Sequence, residues 1–268
     1  MHKAQKLNET NPRRNSIEER VNKRTQKPDW LHDAEEAWQD IFEGTERVSA
    51  FPEPREPWIP SAQVQCFYTE VSKREDLETQ KAAAMALLDI TREQDITFYT
   101  DGSASHGNSF GGAGVVIETP ESGLENISFP AGRWTSSYQA ELEAIKQALQ
   151  IAADMPDRKK IRIVTDSRSA VQHMESNAEN NEPSSGIEEA IHQSLERMYT
   201  AGQTVTLVWC PGHCKIDGNE VADRSANEGA RMDQTAFLHT YETSKAVIKR
   251  YLREPPICHP LEDIRQWT

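Results

Sequence analysis

Between residues 96 and 230 the spacing of apolar positions alternates between a strand period and a helix period. ITFYTDG (96–102) alternates, with Ile96, Phe98 and Thr100 on one face and Thr97, Tyr99 and Asp101 on the other. GGAGVVIE (111–118) predicts a second strand entered through glycines, and ENISFPAGR (125–133) a third. Pro130 has no N–H to offer a neighbour, so the third strand is expected at an edge. Short connections join these three as an antiparallel meander. The period then becomes helical from about Ser136 to Asp154, with Ser136 or Ser137 as the cap. IRIVTD (161–166) predicts a strand of the parallel type. Helices follow from about Ser167, with Ala170, Val171 and Met174 inward, and from about Ile187, with Ile191, Leu195 and Met198 on its stripe. TVTLVWC (204–210) is a fifth strand, and after a Pro-Gly-His loop a helix runs from about Gly218 to Ala230. The order βββαβααβα predicts an α/β fold: a five-stranded mixed sheet, three antiparallel strands then parallel ones, with flanking helices.

The flanks lack this regularity. Residues 1–33 are polar and read as disordered, 34–47 fit a short amphipathic helix, and FPEPREPWIP (51–60) carries four prolines and cannot be regular. Residues 61–71 are compatible with a strand and 74–89 favour a helix. After 231 there is one helical stretch, SKAVIKRYLRE, followed by PPICHP. The expected organisation is a largely disordered, linker-like flank with short helices over 1–90, a folded domain over 91–231, and a tail with one short helix over 232–268.

Composition agrees with one folded domain and polar flanks: of 268 residues 36% are hydrophobic and 27% charged. The net charge of −13 argues against a protein that coats nucleic acid by bulk electrostatics. It leaves room for a nuclease, whose metal ions neutralise the site locally. Cys66, Cys210, Cys214 and Cys258 are too scattered for a disulfide scaffold. No run approaches the roughly 18 apolar residues of a membrane span, and the N-terminus has no apolar signal core. A reducing compartment, cytoplasm or nucleus, is expected. Arg13, Arg14, Lys23 and Arg24 are spaced too loosely for an import signal and read as a solvated terminus.

Four acidic residues stand where folding alone would not put a charge. Asp101 and Asp166 end apolar strands, where the plain reading is a turn residue or helix cap. Glu141 shares a helix face with Ile145, Ala148 and Ala152, a place that rarely holds an unpaired carboxylate. Glu143 fits a solvent-facing position better. Asp223 sits among Ala222, Ala226 and Ala230, where an ordinary exposed helix Asp is the plain reading. Brought together, such carboxylates repel and need cations, and hard, oxygen-seeking divalent ions suit them. Cys210, His213 and Cys214 invite a zinc reading that fails for want of a second ligand pair. His213, on a loop near the carboxylates, is a better candidate for proton transfer.

Read together, YTDGS (99–103), GGAGVVI (111–117), SSYQAELEAI (136–145), VTDSRSAV (164–171) and WCPGHCKIDGNEVADRSANEGA (209–230) resemble the ribonuclease H family. The likeness is greatest to the ribonuclease H domain of non-LTR retrotransposon polyproteins. It spans about 95–231, and the ordered set of five fragments is far more specific than any one of them. The resemblance implies that Asp101, Glu141, Asp166 and Asp223 bind metal, that His213 is a mobile histidine assisting product departure, and that these five are the catalytic residues. It implies endonucleolytic hydrolysis of the RNA strand of RNA–DNA hybrids by two Mg²⁺ ions, or Mn²⁺, about 3.5–4 Å apart. Asp101 would bridge both ions, Glu141 and Asp166 would serve one, and Asp223 the other. Ser103, Ser137 and Tyr138 are the expected substrate contacts, with selection for RNA resting on its 2′-hydroxyl.

Two departures from the family stand out. Cellular ribonucleases H commonly carry asparagine just before the helix glutamate, where this chain has Ser137 and Tyr138. The segment SNAENNEPSSG (176–186) shows no basic protrusion, and residues 91–230 hold about 11 Lys/Arg against about 21 Asp/Glu. Counterion release should then contribute little to hybrid affinity. PREPW and SKAVIKRYLREPP resemble the segments flanking the retroelement domain, so a retroelement-derived monomer without a reverse transcriptase or membrane association is expected. The alternative is a catalytically weak or inactive protein of this fold that binds nucleic acid or protein. A resolvase or exonuclease of the wider fold fits the DGS, AELEAI and GNEVAD contexts less well.

Overall fold

Local signals in the chain assemble into one six-stranded mixed sheet. In the computed structural model the residues described are 39, 64–72, 74–105, 109–119, 123–155, 157–180 (backbone only for 176–180), 185–234, 240 and 243–245. The strands are β1 (Val64–Tyr68), β2 (Ile96–Ser105), β3 (Ser109–Thr119), β4 (Gly123–Gly132), β5 (Lys160–Thr165) and β6 (Thr204–Trp209). The helices are α1 (Leu77–Ile90), α2 (Ser137–Ala153), α3 (Arg168–Asn180), α4 (Gly186–Thr200) and α5 (Asp217–Gly229). The sheet order is β1-β6-β5-β2-β3-β4. The three strands predicted as a meander are antiparallel, and β2, β5, β6 and β1 run parallel. The proline-bearing β4 is an edge, as its missing donor requires.

The predicted count of five strands is one short. The sixth, β1, comes from the stretch read as flank, and it pairs with β6 some 140 residues later, Tyr68 opposite Trp209. Nothing local to VQCFY announces so distant a partner. Residues 64–90 thus add a strand and a helix to the sheet. The proline run and most of SKAVIKRYLRE lie outside the described residues, and so does all of the helix expected over 34–47 except Gln39, which is helical.

The period-two alternation in the strands divides the core into two layers. Phe98, Ile163 and Leu207 point to the face covered by α2 and α4 and are fully buried, each stabilising by about 1.5–3 kcal/mol. Their neighbours Tyr99, Val164 and Val208 point to the other face, under α1 and α5. Helix α1 is capped by Asp76, which accepts from Thr79 N at 3.0 Å. Its far end is tied to the sheet by Arg162, a buried arginine of β5. That guanidinium donates to Leu88 O at 2.7 Å, Thr91 O at 3.0 Å, Thr91 Oγ1 at 3.2 Å and Thr97 Oγ1 at 3.1 Å.

Ser136 caps α2 in a reciprocal box with Gln139. Glu143 is not solvent-facing as expected: it is 2% exposed, with Lys146 Nζ at 2.6 Å and Gln147 Nε2 at 2.8 Å. The Lys146 ammonium supplies its counter-charge. At the C-terminal side Thr243 and Ser244 are buried, and the Thr243 hydroxyl donates to the Gln139 side-chain oxygen.

Candidate active site

Parallel pairing sets the first two carboxylates side by side. Thr100 lies opposite Thr165, the last residue of β5, so the next residues come side by side: Asp166 just past β5, and Asp101 within β2, which does not end there as the sequence suggested but runs on to Ser105 because β3 continues to pair with it. Strand spacing alone separates such neighbours by about 5 Å. Trp209, 1% exposed at the end of β6, donates its indole N–H to Asp166 O at 2.9 Å and fixes where β5 ends.

Glycines bring the helices in. A Cβ on Gly102 would stand 2.2 Å from Glu141 N, so the missing side chain lets the first turn of α2 rest on β2. Glu141 is thereby delivered beside Asp101. On the other side Asp101 pairs in register with Gly114, whose Cβ would meet Ala222 O at 2.1 Å. This close approach seats α5 on β3 and places Asp223, one residue on, against Asp101. The small residues around Asp223 that the sequence displays are the contact surface for this packing.

Asp101, Glu141 and Asp166 each offer an oxygen within 4.8 Å of the others. Asp223 stands outside that tight trio but lines the same recess as Asp101, Asp166 and His213. Burial, then the Asp166 and Asp223 charges, push the Asp101 carboxyl up to about 8, and a hydrogen bond shared with Asp223 adds to this. Burial, with Asp101 and Asp166, also holds the Glu141 carboxyl well above its ordinary range. Glu141 Oε2 is buried without a hydrogen-bond partner. An orphaned buried carboxylate oxygen among like charges has the chemistry of a cation ligand, and an all-oxygen donor set suits a hard divalent ion.

His213 is exposed on the loop between β6 and α5, with φ +55°, and Lys215 has φ +61°. The loop presses on Asp166: a Cβ on Gly212 would fall 2.1 Å from Asp166 Oδ2. Cys210 and Cys214 point away into the second core layer, and burial pushes the Cys210 thiol up to about 12. Ser103 donates to Asn227 Oδ1 at 2.9 Å, and Asn227 Nδ2 donates to Asp223 O at 2.9 Å and to Asp223 Oδ1 at 3.3 Å. Ser137 is exposed in the first turn of α2. Tyr138 is half-buried, edge-on to His173 with ring centroids 6.1 Å apart.

Two residues of this site escaped the sequence reading. Asn227 bridges Ser103 to Asp223, and its only trace in the sequence is its position one helical turn after Asp223. Asn219 lines the recess with both side-chain polar atoms buried and unpartnered. Its signal was a polar amide one turn before Asp223, on the same helix face.

The family model for RNase H matches residues 93–231, more than half of the chain. The chain belongs to the RNase H family. Among solved structures it is similar to LC11-RNase H1 in complex with RNA/DNA hybrid, at 24% identity over 50% of this chain and 96% of that one, TM-score 0.41. It is also similar to the foamy viral protease–reverse transcriptase in complex with dsDNA, at 25% identity over 52% and 95%, TM-score 0.41. RNase H1 of Halobacterium salinarum matches at 21% identity over 50% and 96%, TM-score 0.36. The RNase H match begins at residue 93, so β1 and α1 lie ahead of it.

Proposed function

We propose that this chain hydrolyses the RNA strand of RNA–DNA hybrids with divalent cations held by Asp101, Glu141, Asp166 and Asp223. The observation that carries this reading is the orphaned, buried Glu141 oxygen within a cluster of like charges, in a chain of the RNase H family. When bound, a pair of Mg²⁺ or Mn²⁺ ions would supply Lewis-acid activation of water and charge neutralisation at the phosphate. Asp101, central to the cluster, would hold these ions together with Glu141, Asp166 and Asp223. Water adds across a P–O3′ bond, leaving a 5′ phosphate and a 3′ hydroxyl, and His213 on its exposed loop is positioned to move a proton at the rim. Asn227 orients Asp223 and ties it to Ser103, whose hydroxyl together with Ser137 and Tyr138 would meet the hybrid. Ser137 and Tyr138, where cellular enzymes carry asparagine, favour the non-LTR retroelement type within the family.

The test is cleavage of labelled RNA–DNA hybrid, DNA duplex and single-stranded RNA by the purified chain. The expected result is endonucleolytic RNA cleavage confined to the hybrid, present with Mg²⁺ or Mn²⁺, absent with chelator and lost in Asp101→Asn. Folded wild-type protein that leaves the hybrid intact under both metals would instead support a protein of this fold retained for binding.

A further inference from the structure

The three parallel pairings end level with one another, Tyr68 opposite Trp209, Trp209 opposite Thr165 and Thr165 opposite Thr100. Asp101 and Asp166 follow two of these residues, so β6 and then β1 continue this edge beyond the carboxylate site. The side chain that occupies this extension is Arg168. It is exposed, two residues after Asp166, and its backbone N–H donates to Asp166 O at 3.1 Å. Its guanidinium carbon lies 5.2 Å from the Trp209 ring centroid and 5.8 Å from that of Tyr68. Both rings are themselves held. The Trp209 indole donates to Asp166 O, and the Tyr68 hydroxyl donates to Glu175 Oε2 at 2.7 Å. Among the described residues no ion pair engages Arg168.

We propose that Arg168 is a phosphate contact for the nucleic-acid strand that enters the carboxylate site, held ready by the rings of Trp209 and Tyr68. A stacked guanidinium keeps its N–H fork free and loses little freedom when it takes two phosphate oxygens. The need for it is electrostatic. With a net charge of −13 and acidic residues in the recess, a fixed cation two residues from Asp166 would favour the approach of a polyanion. Trp209 and Arg168 lie within the stretch matched by the RNase H family, whereas Tyr68 comes from the strand ahead of it. The added strand thus supplies the second ring of the arginine's seat. This proposal rests on the hybrid ribonuclease reading.

The experiment is steady-state cleavage of labelled hybrid over a KCl series by the full chain, its variants Arg168→Ala, Arg168→Lys and Tyr68→Leu, and Tyr68→Phe as control. Arg168→Ala is expected to raise KM about 10-fold with kcat nearly unchanged. The slope of log(kcat/KM) against log salt should become shallower by roughly 0.9, the value of one phosphate contact. Arg168→Lys should keep the wild-type slope with a smaller rise in KM. Tyr68→Leu should raise KM more than Tyr68→Phe, which keeps the ring and loses only the hydroxyl bond to Glu175. An unchanged salt slope in Arg168→Ala, or a fall in kcat at constant KM, would overturn the proposal while leaving the ribonuclease reading intact. If Arg168→Ala does not fold, Arg168→Lys and Tyr68→Leu decide on the same readouts. Wild-type protein that cleaves no hybrid would remove the functional reading, and this proposal with it.

Discussion

Two charged side chains are carried far into this domain, and the fold treats them oppositely. Arg162, on β5 under α1, is 8% exposed, and its guanidinium is met by four oxygens of its own chain. Glu141, on the opposite face of the sheet, has like-charged neighbours and an oxygen with no partner. Burial disfavours both charges. For Arg162 the chain itself supplies the compensation, and the result is an anchor between sheet and helix. For Glu141 the compensation must come from outside. An internally solved charge is structural, and an unsolved one marks where a ligand belongs.

The sharpest way to break this comparison is to neutralise Glu141. Glu141→Gln keeps the shape and removes the charge, so hybrid cleavage should fall about 1000-fold, roughly 4 kcal/mol of barrier. Its metal-free melting temperature should hold or rise. Arg162→Met should do the reverse. It strands the buried carbonyls of Leu88 and Thr91 and should cost about 2–4 kcal/mol in chemical denaturation. The specific activity of the molecules that remain folded should not change.

Smaller effects sharpen the picture. Gly212→Ala drives a Cβ into Asp166 Oδ2, so kcat should drop about 10-fold with little change in melting. The pH dependence of metal-free stability follows from Asp101. Its carboxyl is pushed up to about 8 in the native protein, while the unfolded chain ionises it near pH 4. Its neutral form is therefore favourable to the fold below about pH 4, and that stability is lost as pH rises toward about 8. Thermal melts in chelator should fall across this window by well more than the decline seen in Asp101→Asn. Saturating Mg²⁺ should flatten the difference. A metal-free melting curve with the same pH slope in both proteins would contradict the upward push on the Asp101 carboxyl.

How far the sequence could be read follows from the range of the interactions involved. Alternation in ITFYTDG and the apolar run IRIVTD placed β2 and β5 because pleat and period are local, but β2 runs on past Asp101 to Ser105, held by its pairing with β3. Glu141 was legible as a charge on an apolar face. Glu143 misled because its partner Lys146 is an ordinary surface-type residue, and only packing shows that the pair is covered. The strand β1 was missed as part of the sheet because its pairing with β6 spans the whole domain. The seat of Arg168 depends on that same pairing, so it too lay beyond a reading of local pattern. Asn219 and Asn227 sit one turn either side of Asp223, yet an amide on a polar helix signals nothing until the recess it lines is known.

The central claim is that the carboxylate cluster around the unpartnered Glu141 oxygen is a seat for divalent cations. Calorimetric titration of Mn²⁺ and Mg²⁺ into the metal-free chain, beside Glu141→Gln and Asp101→Asn, tests it most directly. Saturable binding by the wild type, weakened at least 10-fold in Glu141→Gln and more in Asp101→Asn, is the predicted result. Binding that both variants retain unchanged, or none in the folded wild type, would contradict it.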